Sequence, residues 1–161
     1  MGGGKMGEAL LAGLLSAGWA EPGELAVVEA VEGRRKELAD RFAGVTVTDE
    51  VPATEGAVVA VKPNDVEAAC RSIAAGGASR VLSVAAGVPL AKLEAWLGDG
   101  VAAVRAMPNT PALVGSGAAA IAAGAVAAED DLAWAEGILS AVGTVVRVPE
   151  SQLDAVTGLS G

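Results

Sequence analysis

Gly2, Gly4 and Gly7 stand at the spacing G-x-G-x-x-G within the opening Met1-Gly2-Gly3-Gly4-Lys5-Met6-Gly7. The chemistry of that spacing is anion binding by backbone. One glycine permits a tight turn, a second lets the chain approach a pyrophosphate with no Cβ in the way, and a third lets the next helix pack closely. The helix start then offers free N–H groups and a positive dipole end to the phosphates. Glu29 follows Gly7 by 22 residues, where an acid can accept hydrogen bonds from an adenosine ribose and favour NAD. Arg34 and Arg35 lie just beyond and could neutralise a 2′-phosphate, favouring NADP. All three also read as ordinary charges at a helix start. Lys62-Pro63 reads as a strand-end lysine and a helix-opening proline, or as a rigid rim for the nicotinamide half of the cofactor. Arg105 and Asn109 sit in or beside a loop bracketed by Pro108 and Pro111, which fixes the backbone around Asn109.

What the chain lacks narrows the chemistry. It has no histidine and one cysteine, Cys70. That excludes an internal disulfide, Ser-His-Asp and Cys-His catalysis, and most zinc sites. Cys70 reads as inert core. Glu129, Asp130 and Asp131 are consecutive at a helix start and do not converge on a metal. Trp19, Trp96 and Trp134 are scattered and form no stacking platform. The net charge of −9 argues against nucleic acid and anionic membranes as partners. The longest small-apolar run, residues 117–128, is too short to span a bilayer. Catalysis by such a chain belongs to a bound cofactor.

The elements that must position these residues follow from periodicity. Helices are expected over Met6–Ala17, Glu32–Phe42, Asn64–Ala75, Pro89–Leu97 and Glu129–Val142. The first has the look of a signal peptide, but Glu8 and the glycines before it favour a buried helix. Strands are expected over Leu25–Glu29, Val45–Thr48, Ala57–Val61, Arg80–Val84, Val101–Arg105, Ala118–Ala123 and Thr144–Val148, with a last short helix from Pro149-Glu150-Ser151 through Val156. Alternating strands and helices predict an α/β fold, a doubly wound, mostly parallel sheet. In such sheets ligands bind beyond the carboxyl ends of the strands, where dipeptides such as Lys62-Pro63 fall.

The motifs also occur in a familiar order. G-G-G-K-M-G-E-A-L at Gly2–Leu10, A-V-K-P at Ala60–Pro63, S-V-A-A-G-V at Ser83–Val88, R-A-M-P-N-T-P-A-L-V at Arg105–Val114 and D-A-V-T-G-L-S-G at Asp154–Gly161 together closely resemble pyrroline-5-carboxylate reductase. The resemblance covers the whole chain. It implies a Rossmann-like NAD(P)-binding domain over residues 1–150 and, at 151–161, the start of a helical dimerisation domain. It further implies a cytoplasmic enzyme that reduces a small cyclic imine carboxylate to L-proline with NADP or NAD as cofactor, homo-oligomeric at full length. By position, Gly2, Gly3, Gly4, Lys5 and Met6 would contact the pyrophosphate. Glu29 and Ala30 would lie at the ribose. Ala60, Val61, Lys62, Pro63, Val84, Ala85 and Ala86 would line the cofactor, and Asn109 would face the nicotinamide. No catalytic side chain is assigned.

Two departures from the family pattern carry expectations. The family's first strand precedes the glycine loop and sits mid-sheet, so without it the sheet should fall into two halves with unpaired edges and an unsupported loop. The family continues beyond S-G into its helical domain. The chain therefore reads as a fragment of little activity, with apolar surface exposed at Leu153, Val156 and Leu159. Rival readings are a non-catalytic dinucleotide-binding module or remnant, and a related oxidoreductase of the hydroxyacid-dehydrogenase or deazaflavin-dependent NADP reductase kind. The last two share the glycine loop but are not expected to share M-P-N-T-P.

Overall fold

A computed structural model of the 161-residue chain describes residues 1–153. The glycine loop leads directly into α1 (Lys5–Ser16), whose Leu10, Leu11 and Leu14 are buried. Leucines three and four apart make one apolar stripe along it. There follow β1 (Ala26–Val28), α2 (Glu32–Arg41), β2 (Thr46–Thr48), β3 (Gly56–Val59), α3 (Val66–Ala75), β4 (Arg80–Ser83), α4 (Leu90–Leu97), β5 (Ala102–Pro108), β6 (Gly117–Ala123), α5 (Glu129–Ser140) and β7 (Gly143–Arg147). Short 3-10 turns at Pro22–Glu24, Pro63–Asp65 and Thr110–Val114 join them. Each begins at or beside a proline, whose fixed φ suits a first helical turn.

Every expected element is present among the described residues, with shifted ends. Pro63–Asp65 winds as a 3-10 turn, so α3 starts at Val66. Strand β5 runs three residues past Arg105 because Ala106, Met107 and Pro108 pair with Ile121, Ala120 and Ala119. That pairing is antiparallel, while β3, β4 and β5 run parallel to one another and β7 runs parallel to β6. Residues 150–153 are helical, and the rest of the expected last helix lies outside the described residues. Leu153 is fully buried against the α3–α4 layer, contrary to its expected exposure. A leucine one turn into a helix that folds back on the sheet has apolar cover within the same domain. Val156 and Leu159 lie outside the described residues.

Helices cover both faces. On one, Val66, Cys70 and Ile73 of α3 and Leu90, Leu93 and Leu97 of α4 pack on Val59, Val81 and Ala103. On the other, Leu10 and Leu14 of α1 and Ala135, Ile138 and Leu139 of α5 pack on Leu82, Val104 and Ile121. A third cluster joins Leu11 to Val27, Leu38 and Val45. Cys70 is completely buried, and desolvation pushes its thiol up to about 11, as inert core requires.

The sheet is in two pieces, β1–β2 and β3-β4-β5-β6-β7. The break is between β1 and β3, as the sequence predicts. The loop is not unsupported, however. The Met1 α-amino group donates to the Val58 carbonyl at 2.8 Å, and the Ala60 N–H donates to the Met1 carbonyl at 2.9 Å. Across the break, the Gly2 N–H donates to the Val28 carbonyl at 2.8 Å. Met1 thus pairs with β3 in the alternating pattern of a parallel ladder, and Gly2 pairs with β1. Two residues hold the two sheet pieces in line.

Candidate functional site

The glycine loop is shaped by how little room its neighbours leave. Gly2 has φ +98°, the left-handed region that favours glycine, and a Cβ there would lie 2.6 Å from the Ala60 carbonyl oxygen. A Cβ on Gly7 would lie 2.1 Å from the Gly2 carbonyl oxygen, so the first turn of α1 rests directly on the loop. Gly4 is the opposite case. It is the residue before the first turn of α1, it is exposed, and a Cβ there would meet nothing within 4 Å. No side chain caps the helix start. A tight turn, an uncapped helix N-terminus and open space at Gly4 make a cradle for an anion.

Charged side chains brace that loop from α2. Glu29 follows β1, and its Oε2 accepts the Gly3 N–H at 2.9 Å while Oε1 accepts the Val31 N–H at 2.9 Å. Arg34 donates through Nε to the Gly3 carbonyl at 2.8 Å and also pairs with Glu37 and Glu8. Hydrogen bonds to Glu37 and Glu8 raise its pKa above the ordinary arginine value. Arg41 pairs with the other oxygen of Glu8. Two cations therefore neutralise the one acid in the first turn of α1, beside the cradle. Arg35 donates to the carbonyls of Glu29 and Ala30, both at 2.8 Å, and lies 3.1 Å from Asp49. Glu29, Arg34 and Arg35, open as ribose or phosphate contacts in the sequence, are thus all engaged by the protein. The bracing role of Arg34 on Gly3 was not read from the sequence. A charge 31 positions away from its partner leaves no local signal.

The other singled-out residues converge at the carboxyl ends of the strands. Glu29 and Ala30 follow β1, Ala60, Val61, Lys62 and Pro63 follow β3, Val84, Ala85 and Ala86 follow β4, and Asn109 follows β5. Ala30, Lys62, Pro63 and Ala86 are exposed. Ala85 is buried, and its N–H donates to the Ser83 hydroxyl at 3.3 Å. The Asn109 side-chain oxygen accepts the Ala118 N–H at 2.9 Å, which fixes the side chain across the β5–β6 turn. Arg105 lies below this edge. It is 4% exposed and 3.0 Å from Glu150, whose carboxylate also accepts the Leu90 N–H at 2.7 Å. This pair of buried Arg105 and half-buried Glu150 ties β5, α4 and the last described helical turn together, and Glu150 was not singled out in the sequence.

Among the described residues no cluster of histidine, cysteine or carboxylates could hold a metal, and no helix is long and apolar enough to cross a membrane. Residues 1–87, from the glycine loop into the loop after β4, match the model of the family described as NADP oxidoreductase, coenzyme F420-dependent. The chain belongs to that family. Similarity to proteins named pyrroline-5-carboxylate reductase extends over the whole chain. The chain is 44% identical over 171 residues to pyrroline-5-carboxylate reductase of Mycobacterium leprae (strain TN), covering 100% of this chain and 58% of that protein. It is 44% identical over 166 residues to the protein of the same name from Synechocystis, covering 100% of this chain and 61% of that protein. Its fold matches the solved structure of a pyrroline-5-carboxylate reductase from Coxiella burnetii with a TM-score of 0.92 and 32% identity, over 99% of this chain and 62% of that one. The Plasmodium falciparum pyrroline carboxylate reductase, solved with NADP bound, shares the fold with a TM-score of 0.83 at 24% identity, over 100% of this chain and 60% of that one. The chain spans about three-fifths of the length of these relatives.

Proposed function

We propose that the chain is the cofactor-binding part of a pyrroline-5-carboxylate reductase, an enzyme that reduces 1-pyrroline-5-carboxylate to L-proline. The observation that carries this reading is the cradle at Gly4: an uncapped helix start beside a glycine whose Cβ direction is empty. It fits a pyrophosphate, and the M. leprae relative, 44% identical across the chain, carries the reductase name. Residues 1–150 would be the NAD(P)-binding domain, and residues 151–161 would begin the segment leading to a dimerisation domain. The full-length enzyme would be a homo-oligomer.

Gly2, Gly3, Gly4, Lys5 and Met6 would hold the pyrophosphate, chiefly through backbone N–H groups and the dipole of α1. The Gly3 N–H is already given to Glu29, so the free amides at the start of α1 carry most of this contact. Glu29 and Ala30 would lie at the adenosine ribose. Both Glu29 oxygens already accept amide hydrogen bonds. NADP is the cofactor named in the family description. Ala60, Val61, Lys62, Pro63, Val84, Ala85 and Ala86 would line the remaining length, and Asn109 would stand at the nicotinamide end. When bound, the reduced cofactor supplies a hydride to the imine carbon, while a proton goes to the imine nitrogen. The chain's own part is to orient that cofactor. The Lys62-Pro63 and Pro108-Asn109 corners would help hold the cofactor in place, and alignment of two reactants would account for much of the rate. The imine is basic enough to need no histidine or covalent nucleophile.

The 161-residue chain by itself should show little turnover. Following the nicotinamide absorbance with substrate and NADPH tests this, and turnover at rates ordinary for an enzyme would contradict it.

A further inference from the structure

Gly3 is buried, and side chains hold both of its backbone polar groups. Glu29 accepts its N–H at 2.9 Å, and Arg34 Nε donates to its carbonyl at 2.8 Å. A Cβ on Gly3 would lie 2.5 Å from Leu38 Cδ1, so α2 also packs directly on this residue. The Gly3 carbonyl and the Gly4 N–H belong to one planar trans peptide group and point in opposite directions. A donor fixed on the carbonyl therefore fixes the direction of the N–H. Gly4 is exposed, and its N–H has no acceptor among the described residues. We propose that Arg34 is a positioning residue for dinucleotide binding. By holding the Gly3 carbonyl it aims the Gly4 N–H into the cradle, toward the pyrophosphate, and it does not read a 2′-phosphate.

The partners of the arginine agree with that role. Nε is on Gly3, Nη1 lies 2.9 Å from Glu37, and Nη2 pairs with Glu8. Every nitrogen of the guanidinium is thus committed, and its charge is met by two carboxylates. Glu8 lies in the first turn of α1, so the same side chain ties α2 to the helix whose start forms the cradle. Arg41 takes the other Glu8 oxygen. A contact with a 2′-phosphate would require Arg34 to give up one of these partners. The shape of the group matters as much as its charge. Three acceptors surround one rigid planar fork, an arrangement that a lysine ammonium on a flexible stem does not reproduce. The role rests on the dinucleotide reading above.

Pyrophosphate is common to NADH and NADPH, whereas only NADPH carries the 2′-phosphate, so one pair of titrations separates the two roles. The 161-residue protein, Arg34→Lys and Arg34→Met are titrated calorimetrically with both dinucleotides, well below each melting temperature. Arg34→Met keeps most of the apolar stem and has no donor. The expected result is an equal loss for NADH and NADPH, about tenfold in each variant, the size of one hydrogen bond to a charged group. Arg34→Lys keeps the charge and should fall as far as Arg34→Met. A second readout needs no cofactor. In the amide proton–nitrogen correlation spectrum of the free protein, the Gly4 peak should shift or broaden in both variants. The peak of Gly98, at the end of α4 on the opposite face of the sheet, should stay in place, which separates positioning from a general loss of structure. A loss confined to NADPH, full NADPH binding by Arg34→Lys, or an unmoved Gly4 peak would overturn the inference. Failure of the unaltered protein to bind either dinucleotide would overturn the dinucleotide reading, and the proposed role with it.

Discussion

At the scale of single residues, two glycines separate folding from binding. Gly7→Ala would drive a Cβ into the Gly2 carbonyl, at 2.1 Å. It should lower stability by about 1–3 kcal/mol, the usual cost of overpacking, and should abolish dinucleotide binding, both read by thermal melts and titration. Gly4→Ala meets open space at φ −70°, so the melting temperature should hold while NADPH affinity falls several-fold or more. A protein that lost stability with Gly4→Ala and kept it with Gly7→Ala would contradict this loop geometry. The Met1 amine gives a pH signature. Burial lowers its pKa from 8.0 to about 6. Between those values the unfolded chain binds more protons, so stability is fully present above pH 8 and is lost as the pH falls toward 6. The loss is at most about 3 kcal/mol, and the chain has no histidine to obscure the window. Urea midpoints at pH 8.5 and 6 measure it, and equal midpoints would refute a buried amine. The spacing of Gly2, Gly4 and Gly7 was legible in the sequence because backbone approach depends only on a missing Cβ. The engagement of Glu29 and Arg34 with Gly3 was not, because it arises from the approach of α2 to the loop.

At the scale of elements, the alternation of strands and helices could be read in the chain because apolar runs such as Ala57–Val61 contrast with the amphipathic helices beside them. Boundaries shifted where pairing decided them. Strand β5 extends to Pro108 because β6 returns beside it, and the antiparallel sense of β6 leaves no mark in an alanine-rich run. The Arg105–Glu150 pair was equally hidden, since its partners are 45 positions apart. Replacing a buried charge leaves its partner uncompensated. Arg105→Ala removes a side chain that is 4% exposed and leaves the half-buried Glu150 carboxylate without it, so it should lower stability, with Glu150→Gln costing less because an amide oxygen still accepts the Leu90 N–H. Denaturant melts of the two variants check the order, and a reversed order would mean that Glu150 serves chiefly to hold Leu90. The Arg147 pairs with Glu129 and Glu136 are exposed by comparison. Exposed pairs contribute little, so Arg147→Ala should leave the melting temperature nearly unchanged.

At the scale of the whole molecule, two sheet pieces are aligned by the backbone of Met1 and Gly2, and those same residues begin the loop that forms the anion cradle. Support of the sheet and shaping of the site are therefore one structural feature. The central claim is that this feature holds a dinucleotide. Calorimetric titration of the 161-residue protein with NADPH tests it most directly, with Gly4→Val as the control. The account predicts saturable one-to-one binding that is lost in the variant while its melting temperature is kept. An absence of binding heat, or equal binding by the variant, would contradict it.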